Sequence, residues 1–160
     1  MKGFMGLVLR LSKWMNGIAA CALTFIMLLT VSDVGLRLFG KPIVGTFELV
    51  GFAGAIVIGF GIPITSWDRG HIFVDFFVQR FPAKGRAVFD VVTRLVGIGL
   101  FILIGWNLIL MGIDLYRSGE VSLTRHLPFY PVAHGLAVCC FIQCLVLICD
   151  IVKIAEGKYE

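Results

Sequence analysis

Charge is scarce in this sequence: Asp, Glu, Lys and Arg together make up 15% of the 160 residues, whereas about 25% is usual in soluble domains. Four stretches, of 19, 19, 19 and 23 residues, contain none of these residue types: 14–32, 49–67, 95–113 and 127–149. A helix of 19 residues is roughly 28 Å long, close to the ~30 Å thickness of the bilayer hydrocarbon. Water is therefore not the main solvent of this chain.

The charge-free stretches predict an all-α membrane protein made of a single four-helix domain over residues 1–160. Strands of a membrane barrel would be about 10 residues long and would alternate polar with apolar side chains, which these stretches do not. We place four transmembrane helices at about 14–36, 47–67, 90–115 and 128–151.

The centres of the predicted spans lack Asp, Glu, Lys, Arg and His. A protein that itself moves ions or polar solutes normally carries such a residue at mid-membrane depth. Asn107 and Gln143 are the amides found there, and we expect each to form an interhelical hydrogen bond. We therefore expect the chain not to form a transport pathway by itself, which excludes a small multidrug-type antiporter.

The sequence also lacks the residues that redox chemistry and haem binding usually require. The five cysteines all lie inside apolar stretches, so the external cysteine pairs of a membrane thiol oxidase are missing. His71, His126 and His134 do not form a pair at matching depth, which a bis-histidine haem requires. We expect no catalytic residue, metal ligand or cofactor in this chain. A four-helix quinone- or haem-binding anchor of an oxidoreductase remains the alternative, because one-sided quinone contact is left open.

The basic residues are distributed unequally between the two ends of the predicted helices. Ten of the 14 Lys and Arg residues lie in the N-terminal segment, the connection between spans two and three, and the C-terminal tail. The other four are Arg37, Lys41, Arg117 and Arg125. The positive-inside rule therefore predicts a multi-pass protein of a bacterial inner membrane with both termini in the cytoplasm. Lipid headgroups, rather than nucleic acid, are the partners expected for these charges.

The connection between spans two and three is too apolar for a simple loop. Ile72, Phe73, Phe76, Phe77 and Phe81 recur at helical spacing, while polar residues fall between them. This pattern predicts a short amphipathic helix at about 71–81, lying in the membrane interface.

Small residues recur every four positions in the second span, at Gly51, Ala55 and Gly59. Such a strip lets another helix approach closely. The approaching helix belongs either to this chain or to a partner subunit, and the sequence does not distinguish the two.

Polar motifs flank the second span. Arg-Leu-Phe at 37–39 and Gly-Thr-Phe-Glu-Leu at 45–49 precede it, and Gly-His-Ile-Phe-Val-Asp at 70–75 follows it. In their order and placement these motifs resemble the small membrane subunit of tripartite ATP-independent periplasmic (TRAP) transporters. Gly119, Ser122 and Pro128 fit the resemblance, which covers about 14–151.

The resemblance implies a non-enzymatic accessory subunit of a sodium-coupled secondary transporter. In such a system a periplasmic binding protein delivers an organic anion, a carboxylate or sulfonate, to a large multi-span subunit. That large subunit carries the anion and binds the sodium, while the small subunit serves as its scaffold. This role agrees with the lack of charge at the centres of the spans.

The candidate partner-interface or structural residues are Arg37, Glu48, Gly51, Gly59, His71 and Asp75. Charged residues near a membrane interface are often simply solvated. The functional alternative is that Arg37 and Glu48 fix a loop or a partner on the external side. His71 and Asp75 would then hold the surface helix on the cytoplasmic side.

The predicted orientation can be tested with Lys41→Cys and Lys84→Cys in a background without the native cysteines. A membrane-impermeant maleimide added to intact cells should label position 41 and leave position 84 unlabelled until the cells are opened. Labelling of position 84 in intact cells would reverse the orientation.

Overall fold

Four long helices form the protein in a computed structural model, which describes residues 2–68 and 83–155. They are α1, Lys2–Leu38; α2, Thr46–Trp67; α3, Ala83–Ser118; and α4, Tyr130–Ala155. Each is long and apolar enough to cross a membrane, which confirms the prediction of four helices that could span it. The surface helix predicted at 71–81, with His71 and Asp75, lies outside the described residues.

Two of the helices extend well beyond their predicted spans. The 37 residues of α1 and the 36 of α3 correspond to helices of about 55 Å, whereas the hydrocarbon is about 30 Å thick. Lys13 sets the predicted start of the first span at 14, but a helical backbone satisfies its own hydrogen bonds and need not end where the apolar side chains end. For the third span, the sequence predicts a helix that begins near Ala83 and continues toward Tyr116, and α3 confirms this. The extra turns must therefore tilt or project beyond the bilayer core.

Gly40 ends α1 in a Schellman motif. The Gly40 amide donates to the Arg37 carbonyl and the Lys41 amide to the Leu36 carbonyl, both at 3.0 Å. This motif needs a left-handed residue after the helix, and Gly40 has φ 69°. The chain can then turn back into α2.

The helices pack side by side in the order α1, α2, α4, α3. Helix α4 is the most enclosed, with 39% of its apolar span buried, against 11% for the spans of α1 and α3. Within the described residues, α2 and α3 lack extensive direct packing, so a groove separates them and α4 forms its floor. Most of the surface of α1 and α3 is left for lipid or a partner.

The start of α1 and the end of α4 lie at one end of the bundle, here called the terminal end, and the α1–α2 and α3–α4 connections lie at the other, the connection end. At the terminal end, Val8 of α1 packs with Val146 and Cys149 of α4 in a buried cluster. The ammonium group of Lys153 lies 3.5 Å from the centre of the Trp67 ring, so α2 and α4 are also joined here.

A buried ion pair links α3 to α4 at the terminal end. Arg94 Nε donates to Asp150 Oδ2 at 3.2 Å, and Arg94 Nη1 lies 3.6 Å from Asp90 Oδ1. All three side chains are buried, so Arg94 compensates two carboxylates in a medium of low dielectric constant, and loss of Arg94 would remove this basic group from both. In the sequence Arg94 indicates only the orientation, because Asp150 is 56 residues away.

The small-residue strip of α2 divides between two environments. Gly59 is buried, and a methyl group added there would overlap Leu136 of α4. Gly51 is exposed, and an added methyl group would meet no atom within 4 Å. Gly59 therefore serves packing within the chain, whereas Gly51 lies open in the groove.

We expect Gly59→Leu to destabilise the isolated protein by about 1–3 kcal/mol, because overpacking forces α2 away from α4. Thermal unfolding in detergent micelles measures the effect. Gly51→Leu is the matched control, and its midpoint should stay close to that of the wild type. Equal midpoints for the two variants would contradict this division of the strip.

Candidate functional site

Glu48 binds the α3–α4 connection. Its carboxylate accepts hydrogen bonds from the Ser122 hydroxyl, from the Thr124 amide at 2.8 Å and from the Arg125 amide at 3.1 Å. Three donors from one loop thus converge on a single side chain in the first turn of α2. We call this set of contacts the Glu48 clamp.

The loop is shaped so that its amides can reach the carboxylate. The Ser122 amide donates to the Leu127 carbonyl at 2.9 Å, and the His126 amide to the Ser122 carbonyl at 3.0 Å. His126 adopts a left-handed conformation with φ 52°. These bonds close a tight turn over 122–127, which presents its successive N–H groups to Glu48.

Arg125 adds a second link across the clamp. Its Nε donates to the Val44 carbonyl at 3.0 Å, so it reaches the connection that leads into α2. A Cβ atom at Gly45 would lie only 2.7 Å from Arg125 Cγ, and Gly45 has φ 82°. Both the backbone conformation and the packing of Arg125 therefore require glycine at this point of the 45–49 motif.

Arg37 belongs to a separate cluster at the same end. Its Nε donates to Asp33 Oδ2 at 2.8 Å, and Asp33 Oδ1 accepts from the Ile43 amide at 2.8 Å. Asp33 is 4% exposed, whereas the side chain of Arg37 is 64% exposed. Asp33 thus braces the α1–α2 connection and leaves most of Arg37 at the surface. Asp33 is not among the residues predicted from the sequence, although an acid four residues before an arginine is a recognisable helical pair.

Below the Glu48 clamp, the groove between α2 and α3 is apolar. Its cavity at the connection end has a volume of about 500 Å³, and a second cavity of about 260 Å³ continues it. Ala55, Leu108 and Leu136 line both, so the two form one groove whose α2 and α3 walls are each about four turns long. Gly51 lies on the α2 wall of the larger cavity.

Gln143 lines the inner part of the groove. Its Nε2 donates to Ser66 Oγ of α2 at 2.5 Å, as expected of an interhelical hydrogen bond. Its Oε1 is buried and accepts no hydrogen bond from the described residues. The corresponding prediction for Asn107 is wrong, because its Nδ2 donates to the Leu103 carbonyl of the same helix at 2.9 Å. Asn107 is exposed on α3 and thus has no facing helix in this chain.

Of the six candidate residues, the structure places four. Glu48 and Gly51 lie beside the groove, Arg37 lies in the neighbouring Asp33 cluster, and Gly59 is in the packing between α2 and α4. His71 and Asp75 lie outside the described residues.

The histidine and cysteine side chains of the described residues contribute to local packing. His134 Nδ1 lies 2.8 Å from the carbonyl oxygen of Tyr130, and its ring covers Gly112 of α3. All five cysteines are free thiols. Within 2–68 and 83–155, no group of three or more His, Cys, Asp and Glu side chains could hold a metal ion.

Together, the four apolar helices and the polar clusters at their ends define a multi-pass membrane protein without charge at the centres of its spans. The family model of the tripartite ATP-independent periplasmic transporters, DctQ component, matches residues 26–157. The chain belongs to this family, which confirms the resemblance found in the sequence motifs. It is a small transporter subunit rather than an enzyme. No curated protein matches the chain.

We expect Glu48→Ala to release the α3–α4 connection, because the Thr124 and Arg125 amides lose their acceptor. Their hydrogen exchange should accelerate roughly tenfold or more, since bonds to a carboxylate are stronger than neutral ones. Hydrogen–deuterium exchange of a peptide that covers 119–129, with the protein in detergent, measures this rate. Glu120→Ala is the control, since this exposed carboxylate lies in the same loop. Unchanged protection in Glu48→Ala would show that the clamp does not order the loop.

Proposed function

We propose that this chain is the scaffold subunit of a sodium-coupled transporter that imports an organic anion, a carboxylate or sulfonate. A periplasmic binding protein delivers the anion, and the large multi-span subunit binds both anion and sodium. The small subunit joins the large one in the inner membrane and enlarges its fixed frame.

The observation that carries this proposal is the distribution of polar groups along the helices. The chain has no Asp, Glu, Lys, Arg or His within the four ranges 14–32, 49–66, 95–113 and 135–149. An anion or sodium ion crossing the bilayer needs compensating groups where water is absent. In this protein those depths are apolar, which supports a structural role beside a pathway that another subunit forms.

The proposed orientation puts the terminal end in the cytoplasm and the connection end in the periplasm. It rests on the unequal distribution of Lys and Arg between the two ends. The Glu48 clamp then faces the compartment of the binding protein. Arg37 and Lys41, both exposed at this end, are available to an acidic surface of that protein.

Co-purification and reconstituted uptake test the proposal. The tagged chain should bring a large multi-span subunit with it, and vesicles that contain both, together with the binding protein, should take up the anion with sodium. Vesicles without the small chain should lose uptake. A haem Soret band in the purified chain would instead support the oxidoreductase anchor.

Asn107→Leu tests whether the small subunit contributes a ligand. Asn107 bonds only within its own helix among the described residues, so we expect the apparent affinities for anion and sodium to change by less than about twofold, as for surface changes of a few tenths of a kcal/mol. A large change in sodium coupling from this substitution would place the small subunit in the transport site.

A further inference from the structure

The face of α3 that points away from α4 carries a regular pattern. Gly105 and Gly112 face α4, where an added methyl group would touch Phe141 and His134. On the opposite face, seven exposed residues are spaced alternately four and three positions apart: Val96, Leu100, Leu103, Asn107, Leu110, Asp114 and Arg117. We call this set the Asn107 stripe. Parallel pairs of helices use the same spacing, because it keeps one seam facing the partner over several turns.

Asn107 places an amide in this stripe near the middle of the membrane. It lies three residues from the centre of the charge-free stretch 95–113, or about 4.5 Å along the helix. Its Nδ2 donates one hydrogen bond to the Leu103 carbonyl, so the second N–H and the Oδ1 oxygen have no partner among the described residues. Lipid tails offer neither a donor nor an acceptor, whereas an amide of a facing helix offers both.

A second copy of this chain supplies that amide at the required depth. Two copies inserted with the same topology have parallel α3 helices, and a twofold axis along the membrane normal places equivalent residues side by side. The free N–H of each Asn107 can then donate to Oδ1 of the other. An asparagine at such a seam position fixes the register of a parallel helix pair.

Charge complementarity at the connection end favours the same pairing. Asp114 and Arg117 are both exposed, and neither forms an ion pair among the described residues. In a parallel pair, a residue at one position of the seam packs beside the next seam position of the facing helix. Asp114 of each copy therefore lies beside Arg117 of the other, so that the stripe is complementary to itself.

We propose that two copies of this chain associate through α3 as a parallel pair, with the Asn107 stripe at the seam and reciprocal hydrogen bonds between the two Asn107 side chains. None of the stripe residues lines the α2–α3 groove, so this interface is separate from it. The pairing goes beyond the proposed function and does not depend on it.

Disulfide crosslinking of the full chain in lipid vesicles tests the seam. With the native cysteines replaced by alanine, oxidation of Leu103→Cys should give a disulfide-linked dimer, because the facing Cα atoms come within the roughly 7 Å that a disulfide bridges. The matched control is Ile102→Cys. Ile102 is 49% exposed and Leu103 61%, but their side chains point about 100° apart around the helix. Leu103→Cys should give at least fivefold more dimer, and equal yields would overturn the inference.

Energy transfer between donor- and acceptor-labelled copies measures the role of Asn107. Asn107→Leu should raise the dissociation constant of the pair roughly tenfold, because both amide hydrogen bonds are lost. Asn107→Gln keeps a donor and an acceptor and should retain most of the association. The thermal midpoint of Asn107→Leu in detergent should match that of the wild type, which excludes misfolding. Equal dissociation constants for Asn107→Leu and the wild type would contradict the proposed seam.

A charge exchange tests the connection end by the same measurement. Asp114→Arg places like charges across the seam and should weaken the pair. Adding Arg117→Asp to this variant restores opposite charges and should recover the association. A double variant as weak as Asp114→Arg alone would contradict the pairing of these residues.

The outcomes for the wild-type chain separate this inference from the proposed function. A monomer at every protein-to-lipid ratio would overturn the pairing and leave the transporter role standing. Loss of the Leu103→Cys crosslink on coexpression of the large subunit would also overturn it, since the stripe would then belong to that subunit. A chain that pairs but brings no large subunit would overturn the proposed function alone.

Discussion

The structure depends on the need to satisfy polar groups where water is absent. In hydrocarbon a helix bonds all of its interior backbone groups internally, but side chains and helix ends still need partners. This chain meets the constraint by leaving the middle of each span apolar and by pairing its buried charges near the ends. The buried Asp33 and Asp150 each have a basic partner, and the half-buried Glu48 has three donors.

The same constraint explains how four helices with little mutual burial hold a defined arrangement. Lipid is as apolar as leucine, so apolar contact alone provides little preference for one helix neighbour over another. The Arg94–Asp150 pair joins α3 to α4 at the terminal end, and the Glu48 clamp joins α2 to the α3–α4 connection at the opposite end. Helix α4 and its preceding loop are thereby tied to both neighbours, while the α2–α3 groove stays open between them.

The family motifs acquire a physical meaning from this arrangement. In the 45–49 segment, the lack of a side chain at Gly45 leaves room for Arg125, and Glu48 accepts hydrogen bonds from the loop. The motif before the second span therefore fixes the α3–α4 connection. Ser122 and Pro128, also part of the resemblance, lie in the loop that Glu48 organises. Arg37 is not a partner of Glu48, because the acid one turn before it, Asp33, is closer along the helix.

The sequence alone determined the family and the presence of four helices long and apolar enough to cross a membrane, because apolar length and short motifs are local properties of the chain. Only the tertiary structure decided the partners of Glu48 and Arg94, since these lie 74–77 and 56 residues away. It also showed that Gly51 and Gly59 differ in their surroundings, although both are glycines in the same small-residue strip of α2. The physical reason is that periodicity defines the faces of a helix, whereas the neighbour of each face follows from the order in which the helices pack. Here α2 lies against α4 rather than α3, and that order creates both the buried Gly59 contact and the open groove beside Gly51.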